Sequence, residues 1–251
     1  MSVSSATIPH CVVVTGASAG IGQALALAYA APGVVLGLIG RDAQRLQASA
    51  DACRARGATV LTGCVDVRDA GALKTWLDAF DASHPIELLI ANAGIASARD
   101  GENLPRITRT IETNFHGTLH TVLPVIERMR ARKGGQIALV ASLTALRGMA
   151  VTPAYCVSKA AIKVWADAMR PLLKRDGIAL SVILPGFVKT PMSATYPANK
   201  PLMWPADRAA AHIRRKLAAR RPEIGFPFPL YTFMRLAPLL PIRLTDYLLN
   251  R

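Results

Sequence analysis

The stretch that decides the fold is Thr15-Gly-Ala-Ser-Ala-Gly-Ile-Gly22, which follows the apolar run Cys11-Val-Val-Val. An unbroken β-branched run of this kind is typical of a strand covered on both faces, and residues 23–30 are helix formers. The three glycines permit a tight turn and keep side chains away from its backbone N–H groups. Because a helix N-terminus offers free amides and a positive dipole end, this unit predicts a pyrophosphate site, with a purely structural turn as the alternative.

Short apolar runs alternate with longer amphipathic stretches along the rest of the chain. Further strands are predicted at residues 34–39, 59–65, 86–91, 136–141, 178–184 and 223–226. Helices are predicted at residues 42–56, with Asp42 as N-cap, and at 70–82, 105–133, 153–175 and 205–220. The alternation predicts an α/β fold: one Rossmann-like, doubly wound domain over residues 1–251, with a mostly parallel, seven-stranded sheet and helices on both faces. Residues 187–221 are expected to form a substrate loop or lid, and residues 222–251 an apolar C-terminal tail.

Composition limits the location and the partners of the protein. Its 30 lysines and arginines against 16 aspartates and glutamates give a formal net charge of +14. This suits an anionic partner, or reflects a solvated arginine-rich surface. No uncharged apolar run reaches the roughly 18 residues that span a bilayer, and residues 1–9 lack the apolar core of a secretory signal. Four cysteines without a C-x-x-C pair suit a reducing cytoplasm, so we expect a cytoplasmic protein without a metal site.

The end of the second predicted strand, Gly40-Arg41, indicates which dinucleotide binds at the glycine turn. An NAD site would place an acidic residue here, about 20 residues past the glycines, to hold the ribose 2′-hydroxyl. Glycine removes that carboxylate, and the guanidinium that follows suits a 2′-phosphate. The pair favours NADP, with NAD as the alternative, unless Arg41 is only a surface residue.

The stretch Tyr155-Cys-Val-Ser-Lys159 carries the candidate chemistry. Positions four apart on a helix share a face, so Tyr155 and Lys159 can reach one ligand. A free phenol has a pKa near 10, and we expect the nearby ammonium to lower it toward neutrality. Ser142 closes the preceding strand at its carboxyl end, where open α/β sheets bind ligands, and its hydroxyl can steady a carbonyl oxygen.

Together, Gly16-x3-Gly20-x-Gly22, Asn92-Ala93-Gly94, Asn114, Ser142, Tyr155-x3-Lys159 and Pro185-Gly186 resemble the motifs of the classical short-chain dehydrogenase/reductase (SDR) family, in order and approximate spacing over about residues 10–190. The resemblance implies that Ser142, Tyr155 and Lys159 form a catalytic triad and that Asn114 completes a proton relay through a backbone-held water. It implies an oxidoreductase that interconverts an alcohol and a ketone or aldehyde with a nicotinamide cofactor.

The same resemblance implies a set of cofactor-binding residues. Asp66 and Val67 would contact adenine, Lys159 the nicotinamide ribose, and Thr190 the carboxamide. Ala19 departs from the basic or hydroxyl side chain common in NADP-using relatives, so Arg41 would carry more of the 2′-phosphate contact. The full set is Gly16, Ser18, Ala19, Gly20, Ile21, Gly22, Gly40, Arg41, Asp66, Val67, Asn92, Ala93, Gly94, Tyr155, Lys159, Pro185, Gly186, Val188 and Thr190.

The C-terminal tail is aromatic, interrupted by prolines and apolar, with Arg235, Arg243 and Arg251 interspersed. It is expected to form a subunit interface in a homodimer or homotetramer, to lie on a membrane surface, or to cover the active site. The first of these is the leading interpretation.

The function predicted from the sequence is oxidoreduction of a small-molecule carbonyl or alcohol, with a hydrophobic substrate favoured by the apolar residues after position 187. The alternative is a basic protein that retains the fold and attaches to membrane or nucleic acid. The intact Ser-Tyr-Lys set favours the enzyme, so nucleic acid is not an expected partner.

Overall fold

The computed structural model describes residues 9–96, 102–197 and 199–249. The expectation about the tail includes Arg251, and the expectation about a secretory signal includes residues 1–8. These residues lie outside the described ranges.

One parallel sheet forms the centre of the molecule, in the order β3-β2-β1-β4-β5-β6-β7. The seven strands are β1 (Cys11–Thr15), β2 (Val35–Gly40), β3 (Thr59–Cys64), β4 (Leu88–Ala91), β5 (Gly135–Val140), β6 (Ile178–Pro185) and β7 (Glu223–Phe226). The strand order reverses direction between β1 and β4, which is where doubly wound sheets open a crevice at their carboxyl ends. The predicted fold class is confirmed.

Helices cover both faces of the sheet. They are α1 (Gly20–Tyr29), α2 (Ala43–Arg54), α3 (Ala70–Ser83), α4 (Leu104–Ile111), α5 (Gly117–Ala131), α6 (Pro153–Arg175), α7 (Pro191–Ala194), α8 (Ala206–Ala218), α9 (Phe228–Leu236) and α10 (Ile242–Leu249). Asp42 caps α2 as predicted, because its side chain accepts a hydrogen bond from the Arg45 N–H. Successive residues of β1 point to opposite faces, so Val13 packs in one apolar core and Val12 and Val14 in the other.

The prediction of one continuous helix over residues 105–133 is wrong in one respect. It is divided by a π-helical segment, Glu112–His116, where the Gly117 N–H donates to the Glu112 carbonyl five residues earlier. The segment holds one extra residue in a turn, which shifts the helical register between α4 and α5. This interruption lies at Asn114, one of the candidate site residues.

Residues 187–204, the first part of the expected substrate loop, contain α7 and one isolated parallel bridge between Val188 and Trp204. The Thr190 hydroxyl accepts from the Ser193 N–H and so caps α7. The tail likewise forms α9, the 3₁₀ turn Ala237–Leu239 and α10 rather than irregular chain.

Candidate active site

The glycine turn lies between β1 and α1 at the crevice. Gly16 and Gly20 adopt φ of 67° and 60°, left-handed values that residues with a Cβ rarely adopt. Ala19, the N-cap of α1, provides no side-chain cap, so the first-turn N–H groups of this helix face the crevice. Gly22 has a packing role, since a Cβ there would lie 2.2 Å from the Gly16 carbonyl oxygen.

The end of β4 is tied to this turn by hydrogen bonds. Asn92 Nδ2 donates to the Thr15 carbonyl at 3.0 Å, and the N–H groups of Asn92 and Ala93 donate to Thr15 Oγ1 at 3.1 and 3.2 Å. A Cβ on Gly16 would lie 2.9 Å from Ala93 Cα, so the two segments approach too closely for a side chain. Asn92 and Ala93 therefore hold the turn in shape.

Asn114 joins three segments that meet behind the site. Its Oδ1 accepts from the Ile95 N–H at 2.7 Å, and its Nδ2 donates to the Ile95 carbonyl and to Ser158 Oγ, each at 2.9 Å. Ser158 Oγ in turn donates to the Tyr155 carbonyl at 2.7 Å. Both hydrogens of the Asn114 amide are thus engaged, and its main-chain carbonyl accepts from Thr118 Oγ1.

Ser142, Tyr155 and Lys159 meet at the carboxyl end of β5. The Ser142 side chain accepts from the Thr144 N–H at 3.2 Å and lies near enough to Tyr155 to lower the pKa of its phenol. Lys159 Nζ donates to the Val140 carbonyl at 2.8 Å and lies 5.6 Å from the centroid of the Tyr155 ring. The spacing of four residues on α6 thus produces the shared face that the sequence predicts.

The expected lowering of the Tyr155 pKa is wrong for this structure. Burial raises the pKa of Tyr155 to about 12, and the nearby Ser142 side chain offsets only part of that rise. Burial also lowers the pKa of Lys159 to about 8, because removal from water disfavours the charged form of both groups. The spacing of Tyr155 and Lys159 indicates the attraction between a phenolate and an ammonium. It does not indicate how far burial removes both groups from water.

A cavity of about 1380 Å³ contains both the glycine turn and the Ser-Tyr-Lys group. It exceeds the roughly 300–1,000 Å³ typical of small-ligand pockets, which leaves room for a dinucleotide and a substrate together. All predicted site residues line it except Gly22, Asp66 and Asn114. Gly22 and Asn114 lie behind the wall, as described above.

The end of the cavity at the carboxyl terminus of β2 is rich in charge. Arg41, Asp42 and Arg45 line it beside Ser18. Arg45 Nε donates to Asp42 Oδ2 at 2.7 Å, whereas Arg41 Nη1 reaches Asp66 Oδ2 only at 3.4 Å. Asp66 is held chiefly by Arg68, which lowers the pKa of its carboxyl group to about 2. Arg45 is not among the site residues predicted from the sequence. Its position four residues after Arg41 could have indicated a second cation at this end of the cavity.

The opposite wall is apolar and is formed largely by the tail. Leu230, Phe233 and Met234 of α9 and Leu248 of α10 line the cavity there, together with Met192 of α7. Tyr231 fixes α9 on β7, since its hydroxyl donates to Glu223 Oε1 at 2.6 Å. The tail therefore covers the active site, which was one of the three interpretations but not the leading one.

The described ranges contain no group of three or more histidine, cysteine, aspartate or glutamate residues placed to hold a metal ion. They also contain no helix that is long and apolar enough to cross a membrane.

The residues present fit a nicotinamide dinucleotide. Uncapped helix N–H groups and glycines without a side chain suit its pyrophosphate, and cations stand at one end of the cavity, with an acid/base set at the other. A doubly wound parallel sheet with this cavity defines a class of protein, the NAD(P)-dependent oxidoreductases that act on CH–OH groups and carbonyls.

Comparison with known proteins agrees with this class. The chain matches the short chain dehydrogenase family over residues 10–201, and it belongs to that family. It is 35% identical to an oxidoreductase of Myxococcus xanthus over 93% of its own length and 94% of the relative's. A non-catalytic binding protein that retains the fold is not favoured.

Solved structures of the same family share the fold. A short-chain dehydrogenase of Sphingobium yanoikuyae in complex with NADPH has a TM-score of 0.80 at 24% identity, covering 88% of this chain and 89% of that one. A short chain dehydrogenase of Mycobacterium paratuberculosis bound to NAD has a TM-score of 0.78 at 22% identity, covering 86% and 95%.

Proposed function

We propose that this protein is an NADP(H)-preferring oxidoreductase that interconverts a ketone or aldehyde with the corresponding alcohol, using Tyr155 as the acid/base. The observation that carries the proposal is that Ser142, Tyr155 and Lys159 line one cavity together with the glycine turn. A binding protein would have no use for this arrangement.

In the direction of reduction, the substrate oxygen accepts hydrogen bonds from the hydroxyls of Ser142 and Tyr155. The glycine turn would hold the pyrophosphate of a nicotinamide dinucleotide and Lys159 its nicotinamide ribose, and the cofactor so held would supply the hydride. Tyr155 donates its proton to the oxygen that gains negative charge, which is general acid catalysis by a positioned side chain. The tyrosinate that results is buried, and the Lys159 ammonium, 5.6 Å from the ring, stabilises it.

Asn114 is a positioning residue in this proposal. Its side chain fixes Ile95 and Ser158, and Ser158 holds the backbone of Tyr155. Its main-chain carbonyl is suited to hold the water through which Tyr155 regains a proton.

The preference for NADP(H) follows from the charged end of the cavity. Gly40 has no carboxylate to repel a 2′-phosphate, and Arg41 is half-exposed and only loosely engaged by Asp66. The nearest carboxylate in the wall, that of Asp42, is occupied by Arg45. Among the solved relatives described above, one holds NADPH and one holds NAD, so the choice rests on these residues.

The substrate is expected to be hydrophobic, because Leu230, Phe233, Met234 and Leu248 of the tail line the cavity. Burying apolar substrate surface against this wall contributes roughly 25 cal/mol per Å².

The test is Tyr155→Phe, with Tyr29→Phe as the matched control. Tyr29 is a buried tyrosine on α1 that does not line the cavity. Tyr155→Phe removes only the transferable proton, so it should retain NADPH binding by fluorescence titration and lose turnover by at least about 100-fold. The control should turn over normally. Near-normal steady-state activity in a folded Tyr155→Phe protein would refute the mechanism.

A further inference from the structure

The tail has an apolar outer face as well as an apolar inner one. Phe228, Thr232 and Leu236 follow one another at four-residue intervals on α9 and so share its solvent side. Phe228 is 73% exposed and Leu236 is 52% exposed. The inner side of the same helix buries Met234 and lines the cavity. The inner apolar side of α9 is therefore buried within this chain, whereas its outer apolar side remains exposed.

The outer face continues past α9. Leu239 is 80% exposed and Ile242 is 71% exposed. We call the surface formed by Phe228, Leu236, Leu239 and Ile242 the tail face. Contiguous exposed apolar surface of this kind marks an interaction site more often than an ordinary solvated surface.

Positive charge accompanies the tail face. Arg235 and Arg243 are exposed beside these side chains. Arg235 pairs with Glu223 of β7, and Arg147 pairs at 2.8 Å with Asp246, the single acidic residue of the sequence from residue 227 onward. These two pairs balance in charge, so the positive charge of the face comes from Arg243.

The cavity opens beside the tail face. Leu248 and Met192 both line the cavity, yet they are 46% and 40% exposed. Their side chains thus form an apolar rim where the cavity meets solvent. The rim presents apolar side chains to a hydrophobic molecule that enters the cavity.

An anionic lipid surface fits this face better than a second copy of the chain. A twofold interface between copies places the same patch on both sides, so positive charge would face positive charge in a protein that already carries a net charge of +14. Anionic headgroups complement this charge, and basic residues near such a surface each raise the affinity by about fivefold.

We propose that the tail face docks on the surface of an anionic membrane and that apolar substrates enter the cavity from the lipid past Leu248 and Met192. The docking is independent of catalysis. The entry of substrate rests on the oxidoreductase function proposed above.

Docking is tested by co-sedimentation with vesicles of phosphatidylcholine, with and without phosphatidylglycerol. The full chain is compared with the variant F228S/L239S/I242S, whose exposed positions do not line the catalytic cavity. The matched control is L104S/V164S/L172S, three exposed apolar positions on α4 and α6. The full chain and the control should bind the mixed vesicles, and the tail variant should bind them at least about tenfold more weakly. Vesicles without phosphatidylglycerol should bind the full chain more weakly.

Three results would overturn the docking proposal. The full chain could fail to sediment with mixed vesicles, or the control could lose as much binding as the tail variant. The tail variant could also have a lower mass in solution than a full chain that ignores vesicles, which would make the tail face an interface between copies.

Substrate entry is tested with a short-chain ketone in solution and a long-chain ketone held in the mixed vesicles. The tail variant should reduce the short-chain ketone as fast as the full chain does. It should reduce the vesicle-held ketone at least about tenfold more slowly than the full chain. Equal rates on the vesicle-held ketone would overturn the entry route. If the full chain reduced neither ketone, the proposed activity would fail, and the sedimentation result would still decide the docking.

Discussion

Cofactor preference can be changed through Gly40 and Arg41, at the carboxyl end of β2. The double substitution Gly40→Asp with Arg41→Gln adds a carboxylate that can bond a free 2′-hydroxyl and removes the cation suited to a phosphate. A Cβ at position 40 would lie 3.3 Å from Ser18 Oγ and 3.4 Å from Leu46 Cδ1. The new side chain therefore needs only a small shift of its neighbours.

The magnitude follows from one charge-assisted contact. Such a hydrogen bond contributes about 1.5–3 kcal/mol, or roughly 10- to 150-fold in affinity at 1.4 kcal/mol per decade. The Arg41 side chain is 44% exposed, so solvent screening places the expected preference for NADP(H) near the lower limit, about 10-fold. High salt should reduce it further.

The assay is the ratio of kcat/KM for NADPH and NADH with one substrate. The wild type should favour NADPH and the double variant NADH, whereas Arg45→Gln should change the ratio less, because Arg45 is engaged by Asp42. A wild-type ratio that favours NADH would show that Arg41 does not contact the phosphate, and the argument from residues 40 and 41 would be withdrawn.

Two further substitutions test the packing and electrostatics of the site. The pKa of Lys159 falls from 10.5 to about 8 in the folded protein. Between those values the unfolded chain binds the proton more strongly, so the stability of the wild type relative to Lys159→Met should rise as the pH increases. Urea unfolding checks this, and a difference independent of pH would contradict it. Gly22→Ala would place a methyl group 2.2 Å from the Gly16 carbonyl oxygen, and overpacking of this kind costs about 1–3 kcal/mol. Its melting temperature should fall by several degrees, while that of Gly148→Ala, where a Cβ meets nothing within 4 Å, should not.

The sheet could be predicted from sequence because its strands are covered on both faces and appear as unbroken apolar runs. Residues 136–141 and 178–184 were predicted as strands, and β5 and β6 differ from those bounds by a single residue. The glycine turn and the spacing of Tyr155 and Lys159 are local features, and local periodicity determines them.

The π-helical segment could not be predicted in this way. Residues 105–133 continue to favour a helix throughout, and the interruption coincides with hydrogen bonds from Asn114 to Ile95 and Ser158, which are distant in sequence. The pKa of Tyr155 was missed for a similar reason. Desolvation depends on how completely α6 and its neighbours enclose the hydroxyl, and the spacing of residues carries no information about that.

The tail was recognised as unusual, but its position could not be derived. Its aromatic and leucine residues suit an interface, a membrane or a lid, and the interface was the leading interpretation. The decisive contacts are between Tyr231 and Glu223 on the last strand of the sheet and between Leu230, Phe233 and the cavity. These depend on where β7 ends relative to the crevice.

The π-helical segment also limits how the length of this chain can change. Deleting a residue from the interior of an α-helix normally rotates everything beyond it by about 100°, since each turn has 3.6 residues. Within Glu112–His116 a single deletion would instead convert the wide turn to an ordinary α-helical one and preserve the path of the helix on both sides. The fold would accept this loss, but the amide of Asn114 would be carried away from Ile95 and Ser158. Under the mechanism proposed above, a chain with a shortened helix here would still fold but would lose catalytic activity.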